Sequence, residues 1–331
     1  MEIREQGKGW RKDKYDSRDY PHRAYRYGAA QVSDVVDLSA LLASRLDQDG
    51  QNGCVGAAIR TGLCATLKSL KAYAEDESWL WPWLGARFKE GTCGKNVGVY
   101  PRDAFDWLVE QGCLYDRYLH FSGQFDATPP SSQQMAEAIK YANFVYFRVG
   151  DGAQGIMESL AESQAAWQAG EPAWLVCLGG PWPDKFNNPV DGVLPDIAIN
   201  DGQPSDGHEY IIYGYDKPNA KLYMCNSWGN GWGKDGTALL PFRALDVFKA
   251  WGGYDAQYIT FNADPIPVPP PPEPVPVPVP NPTPVPTPTP TPTPVPVPVP
   301  GPSPVPNPTN TGCAPWAALT KLFKRNTTQF M

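Results

Sequence analysis

Histidine is scarce in this 331-residue chain, with one each at positions 22, 120 and 208. No Cys/His cluster has zinc spacing and there is no His-Glu-x-x-His, so neither a metal centre nor a cofactor is expected. No window approaches 18 consecutive apolar residues, which excludes a membrane-spanning helix on hydropathy. The N-terminal stretch MEIREQGKGWRKDKYDSRDY is basic but lacks the apolar core of a secretory signal. The expected setting is therefore cytoplasmic, or assembled into a larger particle. Charged residues make up 19% and the net charge is −7. An acidic surface of this kind argues against nucleic acid as the main partner. The seven cysteines are an odd number without a secretory signal, which favours reduced thiols, at least one of them with a separate task.

What the chain has in abundance is proline. From Pro265 to Pro308 it is a ladder of Pro-Val, Pro-Thr and Pro-Asn units. Such a run donates no helix or sheet hydrogen bonds and favours polyproline II, reaching on the order of 130 Å at about 3.1 Å per residue. This divides the chain into an N-terminal extension (1–34), a globular domain (35–263), a semi-rigid spacer (264–310) and a short tail (311–331). In the tail Trp316, Leu319, Leu322 and Phe323 recur at helical spacing beside Lys321, Lys324 and Arg325. That pattern fits an amphipathic segment for a protein partner.

In the globular part, apolar recurrence predicts helices from Cys54 to about Tyr73, from Arg102 to Glu110 and from Gln133 to Tyr141. Short strands are expected at Trp174–Leu178, Glu209–Tyr215, Leu222–Cys225, Thr237–Pro241 and Tyr258–Phe261. Helices first and strands later indicate an α+β fold of two subdomains. Trp79, Trp81, Trp83 and Trp107 read as packing aromatics.

A cysteine at a helix start is a poised nucleophile, because free N–H groups and the helix dipole favour the thiolate. Cys54 follows the turn-rich stretch Gln48-Asp49-Gly50-Gln51-Asn52-Gly53 and is expected to ionise well below the usual value of about 8.5. A thiol also needs a base, and the base a group that fixes its tautomer. His208 opens an apparent strand, and Asn226 opens Asn226-Ser227-Trp228-Gly229-Asn230-Gly231-Trp232-Gly233.

Three blocks, in this order, resemble the papain family of cysteine peptidases. They are Gln48 six residues before Cys54; Gly207, His208, Gly214, Tyr215 and Asp216; and the Asn226–Gly233 run. His208 lies 154 residues after Cys54, and Asn226 a further 18 on. The family's usual separation is roughly 130–150. The resemblance implies a helical left subdomain, a β-barrel-like right subdomain and a cleft between them. It implies that Cys54 is the nucleophile, His208 the base, Asn226 its orienting residue and Gln48 the oxyanion donor. Gly98, in Asn96-Val97-Gly98-Val99-Tyr100-Pro101, corresponds to the segment whose backbone pairs with substrate. Trp228 would shield the Asn–His hydrogen bond. The implied activity is peptide-bond hydrolysis through an acyl-enzyme, on a peptide or protein substrate. The alternatives are an inactive papain-like binding module on a stalk, or a transferase using the same intermediate.

Departures from the family pattern are equally specific. The earlier cysteine of the usual Cys-Gly-Ser-Cys-Trp is Gln51 here, and the tryptophan is Val55. Glu209 stands where a small apolar residue is common. On a strand it faces away from His208 and need not disturb the thiol. Cys93 and Cys113 are left open as a pair. The 34 residues before the domain are too few for the family's usual inhibitory propeptide.

Overall fold

The computed structural model describes residues 6–16, 32–71 and 76–261. The proline-rich spacer, the tail and His22 lie outside them.

The chain builds its interior around one helix, α1 (Cys54–Ser69), in which every residue from Cys54 to Thr66 is buried. A helix apolar on all sides belongs inside. One flank packs on α2 (Leu80–Lys89) and α3 (Pro101–Gln111). The opposite flank lies on a sheet. Small residues permit this double contact, since a Cβ on Gly56 would lie 2.3 Å from the Trp79 carbonyl oxygen.

Sequence reading missed α2, whose Trp81, Pro82 and Trp83 mimic an aromatic loop. Pro82 is its third residue, and first-turn N–H groups have no intrahelical acceptor to lose. Trp79, Trp81, Trp83 and Trp107 are all buried, as packing residues should be. The Arg87 guanidinium stacks 4.0 Å above Trp83 and donates to Cys93 O at 2.9 Å. After α3 come α4 (Ser132–Ala138), closed by a Ser131–Gln134 capping box, and a single 3₁₀ turn over Ile139–Tyr141.

The sheet has seven antiparallel strands: β1 (Val35–Asp37), β2 (Phe144–Arg148), β3 (Val176–Pro181), β4 (Gly207–Asp216), β5 (Lys221–Cys225), β6 (Thr237–Pro241) and β7 (Asp255–Phe261). Their order is β2-β7-β3-β4-β5-β6, with β1 on the far end of β4. Two helices, α5 (Gly152–Gln168) and α6 (Arg243–Ala250), interrupt the strands. The first escaped notice because Gly, Ala and Ser dilute its apolar period, although Ile156, Met157 and Leu160 bury its inner face. The α+β expectation holds, and β4 brings the His208 segment against the sheet-facing flank of α1. Cys54, Cys64, Cys93, Cys113, Cys177 and Cys225 are all buried and none is in a disulfide, so Cys93 and Cys113 are not joined. Among the described residues, no helix is long and apolar enough to cross a membrane and no side-chain group could hold a metal.

Candidate active site

Cys54 is the first residue of α1. Its N-cap is Gly53, whose lack of a side chain leaves the first N–H groups of the helix uncapped. His208 is the second residue of β4, and Asn226 follows directly after β5. The β4–β5 ladder, with Ile211 opposite Cys225, brings these two together. His208 Nε2 lies 2.7 Å from Asn226 Oδ1. The same oxygen accepts the Ser227 N–H at 2.7 Å, which identifies it as the carbonyl oxygen of the amide. Nε2 therefore carries the proton and Nδ1 keeps its lone pair. Nδ1 has no hydrogen-bond partner among the described residues. This is the tautomer that a general base requires.

Aromatic rings hold the imidazole in place. Trp228 lies 4.5 Å from it between ring centroids, and Trp182 meets it edge-on at 4.7 Å. His208 is fully buried, and burial pushes its pKa down to about 3 against the opposing hydrogen bond that it donates to Asn226. The Cys54 thiol is also fully buried. Burial and then the charge of Glu209 push it up, and the backbone N–H groups of Glu209, Val55 and Trp10 pull the other way without winning. The expected low thiol pKa is thus corrected for this arrangement: dehydration outweighs the helix terminus. Glu209 does face away from His208 along the strand, yet its charge still bears on the sulfur, which corrects the view that it leaves the thiol undisturbed.

What dehydrates the cleft is the N-terminal extension. Residues 6–13 lie along it as a strap. Gly9 N and Trp10 N donate to Gly207 O at 3.0 and 3.2 Å. On the other wall, Val99 N donates to Gly9 O at 2.9 Å and Arg11 N to Val99 O at 3.1 Å. Gly98 provides the room for this, because a Cβ there would lie 2.1 Å from Gly9 O, while Val99 makes the hydrogen bonds. Lys8 pairs with Asp184 and Asp206 at 3.4 Å each, and Arg11 with Glu90 at 2.5 Å.

Gly7 O accepts from Gln48 Nε2 at 3.1 Å and from Trp228 Nε1 at 3.0 Å. The amide expected to cradle an oxyanion is thus engaged by the strap, with Gln48 Oε1 held by the Ser227 hydroxyl. Short as it is, the extension reaches Gln48 and Trp228 of the candidate site. The signal in the sequence was the run Gly7-Lys8-Gly9-Trp10, with two residues lacking Cβ beside a large anchor. A Cβ on Gly7 would lie 1.9 Å from Gln51 O, and one on Gly9 2.1 Å from Asn52 O.

No family model matches the chain, and no curated protein matches it in sequence. Solved structures do match in shape. Xylellain, a cysteine protease from Xylella fastidiosa, is similar with a TM-score of 0.67 at 21% identity, over 78% of this chain and 97% of its own. Digestive procathepsin L 3 of Tenebrio molitor is similar with a TM-score of 0.54 at 16% identity, over 78% of this chain and 76% of its own. The chain has the papain-like cysteine-protease fold.

Proposed function

We propose that the chain is a latent thiol peptidase. Cys54 attacks the scissile carbonyl as thiolate, His208 takes its proton and returns it to the leaving amine, and Asn226 holds the imidazole. The oxyanion lies between the Cys54 N–H and the Gln48 amide. The observation that carries this reading is the Nε2–Asn226 hydrogen bond, which leaves Nδ1 without a partner among the described residues, while the N–H of the next residue, Glu209, reaches the Cys54 sulfur. The strap presents an N–H of Trp10 to the sulfur rather than a carbonyl carbon, so the closed form is not itself set up for attack. Substrate enters once residues 6–13 leave. Water then returns to the cleft, the dehydration penalty on both groups falls, and the thiolate–imidazolium pair can form.

The direct test is an epoxide or vinyl-sulfone thiol probe with the modified residue mapped by mass spectrometry. Labelling at Cys54 above the other five described thiols supports the reading, and equal labelling of all six contradicts it. Product masses distinguish hydrolysis from transfer to an amine.

Replacing Gln48 by Ala should lower kcat by roughly 10²–10³, the usual loss for one oxyanion donor, with little change in KM. Steady-state kinetics on a strap-weakened full-length chain check this, and a rise in KM alone would make Gln48 a binding residue.

The proposed role of the spacer and tail is placement. Ending the chain at Ala263 should leave activity on small peptides unchanged, because a spacer reaching on the order of 100 Å keeps the tail away from the cleft. Loss of peptide cleavage on truncation would make the tail part of the catalytic unit. The alternative of an inactive binding module predicts no turnover in any form of the chain.

A further inference from the structure

The strap's anchor reveals the shape of a side-chain pocket. Glu209, Gly179 and Asp255 lie directly opposite one another across β4, β3 and β7. Directly opposed residues point to the same face, and neighbouring strands are about 4.8 Å apart. Two acidic residues therefore flank a glycine whose missing side chain leaves a slot, and the Trp10 ring fills it. A Cβ on Gly179 would lie 2.1 Å from that ring, and one on Gly207 2.2 Å. The Trp10 indole N–H donates to Asp255 Oδ2 at 3.1 Å.

The slot is strongly acidic for its burial. Glu209 and Asp255 are each 1% exposed, and neither Glu209 oxygen has a hydrogen-bond partner among the described residues. Asp255 Oδ2 also accepts the Asp13 N–H at 2.9 Å, and its Oδ1 faces Arg148 at 3.3 Å. When the strap leaves, Asp255 loses both the indole and the Asp13 donor. Two buried carboxyl groups then face the pocket, and Arg148 lies beside Asp255 on the side away from Glu209. A buried carboxylate without a partner is costly, and a cation with several N–H donors relieves that cost best.

Resting on the peptidase reading, we propose that this slot is the pocket that selects substrate, that Glu209 and Asp255 are its specificity residues, and that it takes an arginine or lysine side chain. Trp10 holds the place with a neutral donor, which suits a strap that must also depart.

A test within the full-length chain needs no turnover. Iodoacetamide labelling of Cys54 reads strap opening in Trp10→Ala and Trp10→Arg. The arginine variant should label more slowly than the alanine variant by about tenfold or more, as befits a buried charge-assisted hydrogen bond. Adding Asp255→Asn and Glu209→Gln should erase that difference. Asp255→Asn alone, which should reduce it, serves if the double replacement does not fold. Equal labelling of the Arg and Ala variants overturns the assignment.

Peptides varied at one position should then be cut by the full-length Trp10→Ala chain about tenfold faster in kcat/KM with Arg than with Leu. Equal rates for the two peptides also overturn the assignment. If no peptide is cut although the labelling difference stands, the peptidase reading fails and the cation-binding slot survives.

Discussion

Replacing Cys54 by Ala should lower kcat by on the order of 10⁶-fold, the size seen when the nucleophile of a comparable triad is removed. Gln48, His208 and Asn226 stay in place in such a variant, but without a nucleophile no acyl-enzyme can form. The fold should survive. Cys54 is 0% exposed, and only its sulfur disappears, leaving the N–H groups of Glu209, Val55 and Trp10 without that acceptor. This costs on the order of 1 kcal/mol, a few degrees in melting temperature. Peptide hydrolysis and thermal unfolding, measured on the same preparation, check both halves. Near-wild-type hydrolysis by the alanine variant would eliminate Cys54 as nucleophile.

Raising the pH from about 4 to 7 should open the strap. Asp13, only 5% exposed, is pushed from 3.8 up to about 7, first by burial and then by the charge of Asp255. The groups facing it include Gln257 Nε2 at 2.9 Å and the Arg102 N–H at 3.2 Å, which both favour its ionised form. Asp255 and Glu209 lie in the same acidic pocket and are themselves pushed up, chiefly by burial. Arg148 beside Asp255 is one of the cations on that side, and the Lys12 ammonium is turned to Gly252 O.

The sign follows from linkage. A carboxyl group whose pKa is higher in the docked than in the free strap favours docking at low pH and ceases to as pH climbs from the free to the docked value. Three pH units correspond to about 10³ in the docking constant. Iodoacetamide labelling of Cys54 should therefore accelerate across that window by up to about 10³ more than thiol ionisation alone provides. Asp13→Asn, which mimics the protonated acid, should lack this component and label more slowly than wild type at pH 8. Overlapping profiles for the two proteins would remove Asp13 from the control of the strap.

Much of the site was legible from the sequence because its chemistry is carried by residue types at fixed spacings. Cys54 at a helix start needed only the turn-rich run before it. The pairing of His208 with Asn226 came from the resemblance of their two blocks to the papain family. Helix α1 and strand β6 were also visible, α1 from the recurrence of Ala57, Ala58, Leu63, Leu67 and Leu70 and β6 from a short apolar run after turn residues. Helix α2 was hidden because Pro82 reads as a breaker, although a proline in the first turn breaks nothing. Helix α5 was hidden because its small residues pack closely without marking a face.

By itself the sequence determined which groups are available: one helix-start thiol, one imidazole with an amide to fix its tautomer, and a glutamine within reach. The thiol follows from local chemistry, and the amide and the glutamine from blocks that resemble the papain family. Only the tertiary structure decided their present state. The strap that fills the cleft, the dehydration that raises the thiol and lowers the imidazole, and the row Glu209–Gly179–Asp255 all depend on contacts between segments far apart in the chain. Trp10 and Asp255 are 245 residues apart. Burial and cross-strand register are properties of the assembled fold, and no local pattern at residues 6–13 encodes the acidic slot into which they dock.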